Sequence, residues 1–129
     1  MNIPPDLRYT RNDEWVRVEG HIGITGITDY AQAALADIVY AELPEIGQAF
    51  KQGEGYGEVE SVKAAADLYL PLSGVITAVN ATLKEHPEII NSDPYGEGWT
   101  VKFSIADLSE LDKLMDAAAY EAYCQERQH

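Results

Sequence analysis

Residues 54–70, EGYGEVESVKAAADLYL, predict a β-hairpin with a lysine at its tip. In residues 54–62, acidic side chains and a tyrosine occupy one parity, whereas small side chains occupy the other. Because alternate residues of a strand point to opposite faces, we expect one acidic face that includes Tyr56 and one face of small residues. Residues 65–70 predict the next strand, so the chain turns around Lys63.

Further short strands, separated by turn-forming residues, surround this hairpin. Alternating apolar residues predict strands over 15–19, 22–27, 37–43, 75–79 and 99–105. A length of 129 residues suits one domain with a sizeable core. Many short strands are typical of a sandwich or a barrel, so we predict a mainly β fold in a single domain over residues 1–129.

Helices are predicted in two places. Thr28 is a candidate N-cap for a short internal helix that ends at Leu35. From about Asp107 the composition predicts a C-terminal helical tail with one apolar face, formed by Leu108, Leu111, Leu114 and Met115. Residues 91–98 predict a loop, because Asn, Ser, Asp, Pro and Gly dominate there.

The chain is strongly acidic, with 22 Asp and Glu residues against 9 Lys and Arg and a formal net charge of −13. This charge argues against nucleic-acid binding, which depends on Lys and Arg, and it disfavours anionic membrane surfaces. Complementary fields favour partners with basic docking surfaces, although solubility alone accounts for an acidic surface equally well.

The sequence favours the cytoplasm as the compartment. Cys124 is the single cysteine and permits no intrachain disulfide, which fits a reducing environment. Residues 1–6 lack the basic and apolar regions of a signal peptide, and no apolar run reaches the length of a membrane span. We therefore expect an unprocessed cytoplasmic protein, with a monomer as the simplest state.

Lys63 is isolated, since no other Lys or Arg lies between Lys51 and Lys84. A single lysine at an exposed hairpin tip suits a modifying enzyme, because the hairpin presents one amine in one geometry. A plain surface lysine is the alternative.

Residues 60–64, ESVKA, resemble the lipoyl-attachment motif of the glycine cleavage system H protein family. A Glu three residues before the lysine and a Gly eleven residues after it also match, at Glu60 and Gly74. The similarity extends from about Tyr9 to Tyr123 and includes DEWV at 13–16, GITDYAQ at 26–32, DLY at 67–69 and DPYGEGW at 93–99.

The resemblance implies a barrel-sandwich hybrid fold of the lipoyl- and biotinyl-carrier type, with lipoate bound covalently to Lys63. A lipoate ligase or lipoyl transferase would recognise the hairpin through Glu60, Val62, Ala64 and Gly74. The family is a non-catalytic carrier. It receives the aminomethyl group of glycine from a pyridoxal-phosphate glycine decarboxylase and passes it to a tetrahydrofolate-dependent aminomethyltransferase. Dihydrolipoamide dehydrogenase then reoxidises the arm. A lipoyl relay to other 2-oxoacid dehydrogenase complexes is the alternative function.

A carrier that shelters a charged aminomethyl group needs a carboxylate to hold the ammonium. Glu14, at the start of a strand, and Asp67, just past the hairpin tip, are the candidates, and a solvated surface acid is the alternative for each. Ala64 is followed by two further alanines where the family has a more polar run, which leaves no hydroxyl beside Asp67.

Other chemistries find less support in the residues. A biotin carrier would flank its lysine with methionines, and an acyl carrier protein would be helical with its arm on a serine. No nucleophile and base can be nominated for a hydrolase. The histidines at positions 21, 86 and 129 share no metal-ligand spacing, so we predict neither a catalytic site nor a metal site.

Overall fold

The computed structural model describes residues 1–127, which form nine strands in two sheets. The strands are β1 (Arg8–Tyr9), β2 (Glu14–Glu19), β3 (Ile22–Ile27), β4 (Ile38–Glu42), β5 (Ala49–Phe50), β6 (Gly55–Ser61), β7 (Ala65–Tyr69), β8 (Gly74–Val79) and β9 (Val101–Ile105). The larger sheet has the order β1-β2-β3-β9-β8-β5, and the smaller sheet has the order β4-β6-β7. The predicted mainly β fold is confirmed.

The helices are α1 (Asp29–Leu35), α2 (Thr82–Glu85), α3 (Ile89–Ser92), a 3-10 helix (Leu108–Lys113) and α4 (Ala117–Glu126). The predicted N-cap of α1 is confirmed, because the Thr28 hydroxyl accepts a hydrogen bond from the Ala31 N–H at 3.2 Å. Within residues 1–127, none of the helices is long and apolar enough to cross a membrane.

Two clusters of buried side chains hold these elements together. The first joins the two sheets and includes Phe103 of the larger sheet with Val59 and Leu68 of the smaller one. The second lies beneath α4, where Tyr120 stacks on Tyr9 of β1 with ring centroids 4.6 Å apart. Stacked aromatic pairs contribute energy beyond their buried area, so α4 is firmly packed on the larger sheet.

Strand β6 differs from the predicted alternation. Its pairing with β7 shifts register between Gly55 and Gly57, which leaves Tyr56 as an extra residue. Tyr56 and Val59 are 5% and 0% exposed, although an unbroken alternation would place them on opposite faces. The expectation that Tyr56 lies on the acidic face is therefore wrong, because a β-bulge changes the parity of the strand.

The C-terminal tail is helical in two separate pieces, so the single apolar helix face predicted for it is wrong. Met115 lies between the pieces and exchanges backbone hydrogen bonds of 2.8 and 2.9 Å with Tyr9. Leu111 and Leu114 pack against the first cluster, Met115 packs against the second, and Leu108 is 42% exposed. The helix-like spacing of these four residues therefore does not correspond to one buried face.

Two short helices lie where no helix was predicted, and α3 overlaps the start of the predicted loop over 91–98. Each has only four residues, which is too short to produce a periodic sequence signal. Both are anchored by one buried side chain, Leu83 in α2 and Ile90 in α3, so tertiary packing specifies them.

Candidate functional site

Lys63 lies at the tip of the β6–β7 hairpin, in a turn that Ser61 organises. The Ser61 hydroxyl accepts hydrogen bonds from the N–H groups of Lys63 at 3.1 Å and Ala64 at 2.9 Å. The Ser61 N–H donates to the Ala64 carbonyl at 2.7 Å and closes the turn. A serine hydroxyl commonly replaces backbone partners in this way, so the lysine is presented on an ordered turn.

The hairpin tip is also bound to the loop between α1 and β4. The Val62 N–H donates to the Asp37 carbonyl at 3.0 Å, and the Asn91 side chain bonds both ends of that loop. The exposed Lys63 side chain extends over the end of α1, where its Nζ lies 3.5 Å from the Ala34 carbonyl oxygen. The amine is therefore accessible while its backbone is held.

Three of the four predicted recognition residues surround the lysine, and Gly74 does not. Val62 is 69% exposed, and Glu60 and Ala64 are also exposed. Gly74 is buried in β8 of the larger sheet, where a Cβ would lie 2.3 Å from the Ser104 carbonyl oxygen. The close approach of β9 therefore accounts for the glycine at position 74.

Acidic side chains form a row across the smaller sheet. Glu42 of β4, Glu58 of β6 and Asp67 of β7 are direct cross-strand neighbours. The pKa of Glu58 is raised, chiefly by a hydrogen bond with the Glu60 side chain and further by desolvation and the charges of Glu60, Asp67 and Glu42. This face therefore has a strongly negative potential beside the lysine.

Glu14, the first residue of β2, lies against the end of β7 that is farther from Lys63, and it is 1% exposed. Its Oε2 accepts a 2.6 Å hydrogen bond from the N–H of Tyr69, the last residue of β7. Its Oε1 is buried and has no hydrogen-bond donor among residues 1–127. The side chain lines a cavity of about 150 Å³ together with Asn12, Tyr69 and Leu70. A buried oxygen without a donor beside a cavity is suited to accept a donor from a ligand.

Burial raises the pKa of Glu14 well above its usual value. The Tyr69 N–H lowers this pKa in part, and the charge of Asp13 raises it further. The ionised carboxylate is therefore disfavoured in the isolated protein, and a cation in the cavity would favour it.

The structure brings the two predicted cleft acids to one residue, Tyr69. The Tyr69 N–H binds Glu14, and the Tyr69 hydroxyl lies 3.5 Å from Asp67 Oδ2. Asp67 is exposed, so the surface alternative describes its environment, whereas the same alternative is wrong for Glu14.

Two features of this region were missed from the sequence. Ser61 carried a local signal, because a hydroxyl residue at the start of a tight turn commonly bonds the turn backbone. The Tyr69 N–H carried no signal, since every residue except proline has a backbone donor and only the fold selects which one meets Glu14.

The described part of the chain contains no group of three or more His, Cys, Asp or Glu side chains that could hold a metal ion. Cys124 is buried in the second cluster, and His129 lies outside the described residues.

Comparison with known proteins identifies the family. The sequence model of the family described as Glycine cleavage H-protein matches residues 7–127. A glycine cleavage system H protein of Symbiobacterium thermophilum is 54% identical over 125 residues, which cover 97% of this chain and 98% of that protein. One of Bacteroides thetaiotaomicron is 51% identical over 122 residues, which cover 95% of this chain and 97% of that protein.

A solved structure agrees with the sequence comparison. The crystal structure of a glycine cleavage system H protein from Mycobacterium marinum is similar with a TM-score of 0.82 and 36% sequence identity. The similarity covers 93% of this chain and 97% of that one. Since fold and sequence agree over nearly the whole length, the chain belongs to the glycine cleavage H-protein family of lipoyl carriers.

Proposed function

We propose that this chain is the carrier of a glycine cleavage system, with lipoate in amide linkage to Lys63 Nζ. Family membership supports the general role, and the exposed lysine on an ordered turn supports the attachment point. The observation that carries the proposal furthest is Glu14 Oε1, a buried carboxylate oxygen with no donor among the described residues, beside a cavity.

The residues present fit a tethered group that brings a cation to this cavity. A strand rises about 3.3 Å per residue, so Asp67 lies about 7 Å and Tyr69 about 13 Å beyond Ala65 along β7. An acidic side chain thus stands between the attachment point and the cavity. Tethering gives a guest at the lysine a high effective concentration at both residues.

When bound, lipoate would supply the reducible disulfide that takes up the aminomethyl group of glycine. The chain would carry this group from the pyridoxal-phosphate glycine decarboxylase to the tetrahydrofolate-dependent aminomethyltransferase. It would then present the reduced arm to dihydrolipoamide dehydrogenase. The chain's own task would be to place, shelter and release the aminomethyl group, and this task requires no catalytic residue in the chain.

Glu14 would hold the ammonium of the cargo in this scheme. Its Oε2 is already engaged by the Tyr69 N–H, so Oε1 is the atom that receives the new donor. A nearby ammonium lowers the pKa of a carboxyl group, so entry of the cargo favours loss of a proton from Glu14. Burial of the pair limits access of water to the cargo, and exposed Asp67 would attract the cation before it enters.

Recognition by a lipoate ligase or lipoyl transferase would use the hairpin surface. Glu60, Val62 and Ala64 surround the lysine and are exposed, which supports direct contact with such an enzyme. Gly74 is buried in the other sheet, so an effect of residue 74 on lipoylation would act through packing.

Intact mass spectrometry after incubation with lipoate, ATP and a lipoate ligase tests the attachment point. We expect one lipoyl adduct on the wild type and on Lys84→Arg, which serves as the matched control, and no adduct on Lys63→Arg. An adduct that persists in Lys63→Arg would refute the site.

Reconstitution of glycine–bicarbonate exchange with a glycine decarboxylase tests the role. We expect exchange that depends on the lipoylated chain and is absent with Lys63→Arg. A lipoylated chain that supports no exchange, yet donates lipoate to the lipoyl domain of a 2-oxoacid dehydrogenase complex, would favour the relay function instead.

A further inference from the structure

Asp13 has an unusual backbone conformation in the turn between β1 and β2. Its φ is 65°, in the left-handed region that favours glycine. The Asp13 N–H donates to the Thr10 carbonyl at 3.2 Å, and the Thr10 N–H donates to the Glu14 carbonyl at 2.9 Å. Glycine would adopt this turn with less strain, so the contacts of the Asp13 carboxylate have to offset the strain of an aspartate at this position.

The Asp13 carboxylate is bound by two residues from the C-terminal part of the chain. Arg127, directly after α4, donates to Oδ1 at 2.6 Å and to Oδ2 at 3.0 Å, and the Tyr120 hydroxyl donates to Oδ1 at 2.9 Å. The Arg127 guanidinium also lies 4.3 Å from the ring centroid of Tyr30 and 3.9 Å from that of Tyr123. A bidentate pair whose planar cation packs on two rings has little freedom, so this link is rigid.

The backbone of Asp13 connects the same turn to α1. The Asp13 carbonyl accepts a 2.9 Å hydrogen bond from the N–H of Thr28, the N-cap of α1. The Thr28 hydroxyl in turn shares a 2.6 Å hydrogen bond with the Tyr120 hydroxyl. Asp13 therefore joins α1, α4 and the start of β2 at one point.

Glu14 follows this junction directly along the chain. Its N–H donates to the Thr10 hydroxyl at 3.2 Å, and its carboxylate reaches the Tyr69 N–H at 2.6 Å. The backbone angles of Asp13 set the direction in which the Glu14 side chain leaves the turn. Arg127 also places a positive charge on the Asp13 carboxylate, which would otherwise stand unpaired beside Glu14.

We propose that Asp13 and Arg127 are positioning residues for the Glu14 carboxylate, and that the end of α4 thereby sets the geometry of the cavity. Neither residue lines the cavity, whose walls include Asn12 and Lys113, so both act through the turn. The consequence for cargo rests on the function proposed above for Glu14. The positioning itself can be measured on the unmodified protein.

Arg127→Met is the direct test, with Arg11→Met as the matched control. Arg11 also lies over Tyr123, 5.2 Å from the ring centroid, and makes no hydrogen bond to Asp13 within residues 1–127. In ¹H–¹⁵N spectra of the unmodified protein, we expect Arg127→Met to shift the Tyr69 amide proton upfield and speed its exchange, because its short bond to Glu14 lengthens. The amide signals of the other β7 residues should keep their wild-type positions in Arg127→Met. All β7 amide signals should keep them in Arg11→Met.

A Tyr69 amide at its wild-type position in a folded Arg127→Met protein would overturn the proposal. If that variant loses α4, Asp13→Asn decides, because asparagine tolerates the left-handed conformation and leaves both Arg127 and the Tyr9–Tyr120 stack that holds α4 unaltered in sequence. We expect a smaller Tyr69 shift of the same sign in Asp13→Asn, and no shift would overturn the proposal. Arg127→Lys keeps the positive charge but cannot form the bidentate pair with Asp13. The Tyr69 amide signal should therefore lie between its positions in the wild type and in Arg127→Met.

The lifetime of the cargo-loaded protein separates this proposal from the proposed function. Positioning predicts a several-fold shorter lifetime in Arg127→Met and no further loss when Glu14→Gln is added. Additive losses would overturn positioning through Glu14. If Glu14→Gln alone leaves the lifetime unchanged, the proposed role of Glu14 is wrong, whereas a shifted Tyr69 amide would still establish the positioning.

Discussion

The two ends of strand β7 place acidic side chains in opposite environments. On the side of the hairpin tip, Glu58 and Asp67 are cross-strand neighbours at the middle of the hairpin, and Asp67 is exposed, whereas at the far end Glu14 is 1% exposed. The pKa is raised for both glutamates, for Glu58 chiefly by the hydrogen bond with Glu60 and for Glu14 by burial. Under the proposed function, the first group would therefore act through charge that salt can screen, and Glu14 would act through the geometry of a cavity.

The largest effect that separates the two ends is expected on the lifetime of the loaded carrier. Glu14→Gln keeps the acceptor for Tyr69 but loses the charge that holds an ammonium, so the loaded form should decay several-fold faster. Asp67→Asn should have a smaller effect, because Asp67 is exposed. Mass spectrometry of the loaded protein over time measures the decay, with Glu58→Gln, a partly exposed acid that does not line the cavity, as the control. Equal decay in Glu14→Gln and Glu58→Gln would remove the distinction between the two ends.

The dependence of stability on pH should also differ between the ends. Burial puts the folded-state pKa of Glu14 above the unfolded value, so its contribution to stability is full below the unfolded pKa and is lost as pH rises through the folded pKa. Glu14→Gln should therefore be more stable than the wild type at higher pH, and the two should converge below about pH 4.3. The gap grows by up to about 1.4 kcal/mol per pH unit between the two pKa values.

Urea denaturation at several pH values measures this gap, and each variant is compared with the wild type at the same pH. A wild type that is more stable than Glu14→Gln throughout the neutral range would contradict the buried, proton-favouring environment of Glu14.

At the tip, Ser61→Ala should have a moderate effect. It removes the hydroxyl that binds the Lys63 and Ala64 N–H groups, which should lower the free energy of unfolding by about 1 kcal/mol and slow lipoylation. Ser92→Ala is the control, since that hydroxyl makes one long bond of 3.4 Å in α3. Initial rates of adduct formation and urea denaturation measure both effects. Lipoylation as fast as in the control would show that Ser61 is not needed to present the lysine.

The smallest effect on stability is expected at Glu60. Glu60→Ala removes an exposed charge, so the free energy of unfolding should change by no more than about 0.5 kcal/mol. Lipoylation should nevertheless slow, and the loss should shrink as salt is added. Glu19→Ala, an exposed acid of β2 in the other sheet, is the control. Kinetics identical to those of Glu19→Ala would remove Glu60 from recognition.

The exposed end was largely predictable, and the departures from prediction have specific causes. Alternation and turn residues placed the hairpin and put Lys63 at its tip, and the mainly β class followed from the same local patterns. The bulge at Tyr56 reversed one parity, because a single extra residue leaves no mark in composition. The spacing of the apolar residues in the tail predicted one helix face, but these residues pack against two separate clusters, and no local pattern shows which cluster each one joins.

The candidate site was predictable in its residues but not in its arrangement. Family resemblance nominated Glu14 and Asp67 together, yet it did not show that one is buried and the other exposed. The partner of Glu14 is the N–H of Tyr69, 55 residues further along the chain. No local pattern selects such a partner, because any backbone N–H offers the same chemistry.

By itself, the sequence determined the hairpin, the exposed lysine, the cap of α1 and the family, since each depends on neighbouring residues or on motifs that can be read in order. Only the tertiary structure decided that Glu14 is buried beside a cavity with one oxygen lacking a donor in residues 1–127. It alone also joined Asp13 to Arg127, 114 residues apart. The physical reason is that burial and ion pairing depend on how sheets and helices pack, and packing brings together residues whose spacing in the chain carries no periodic signal.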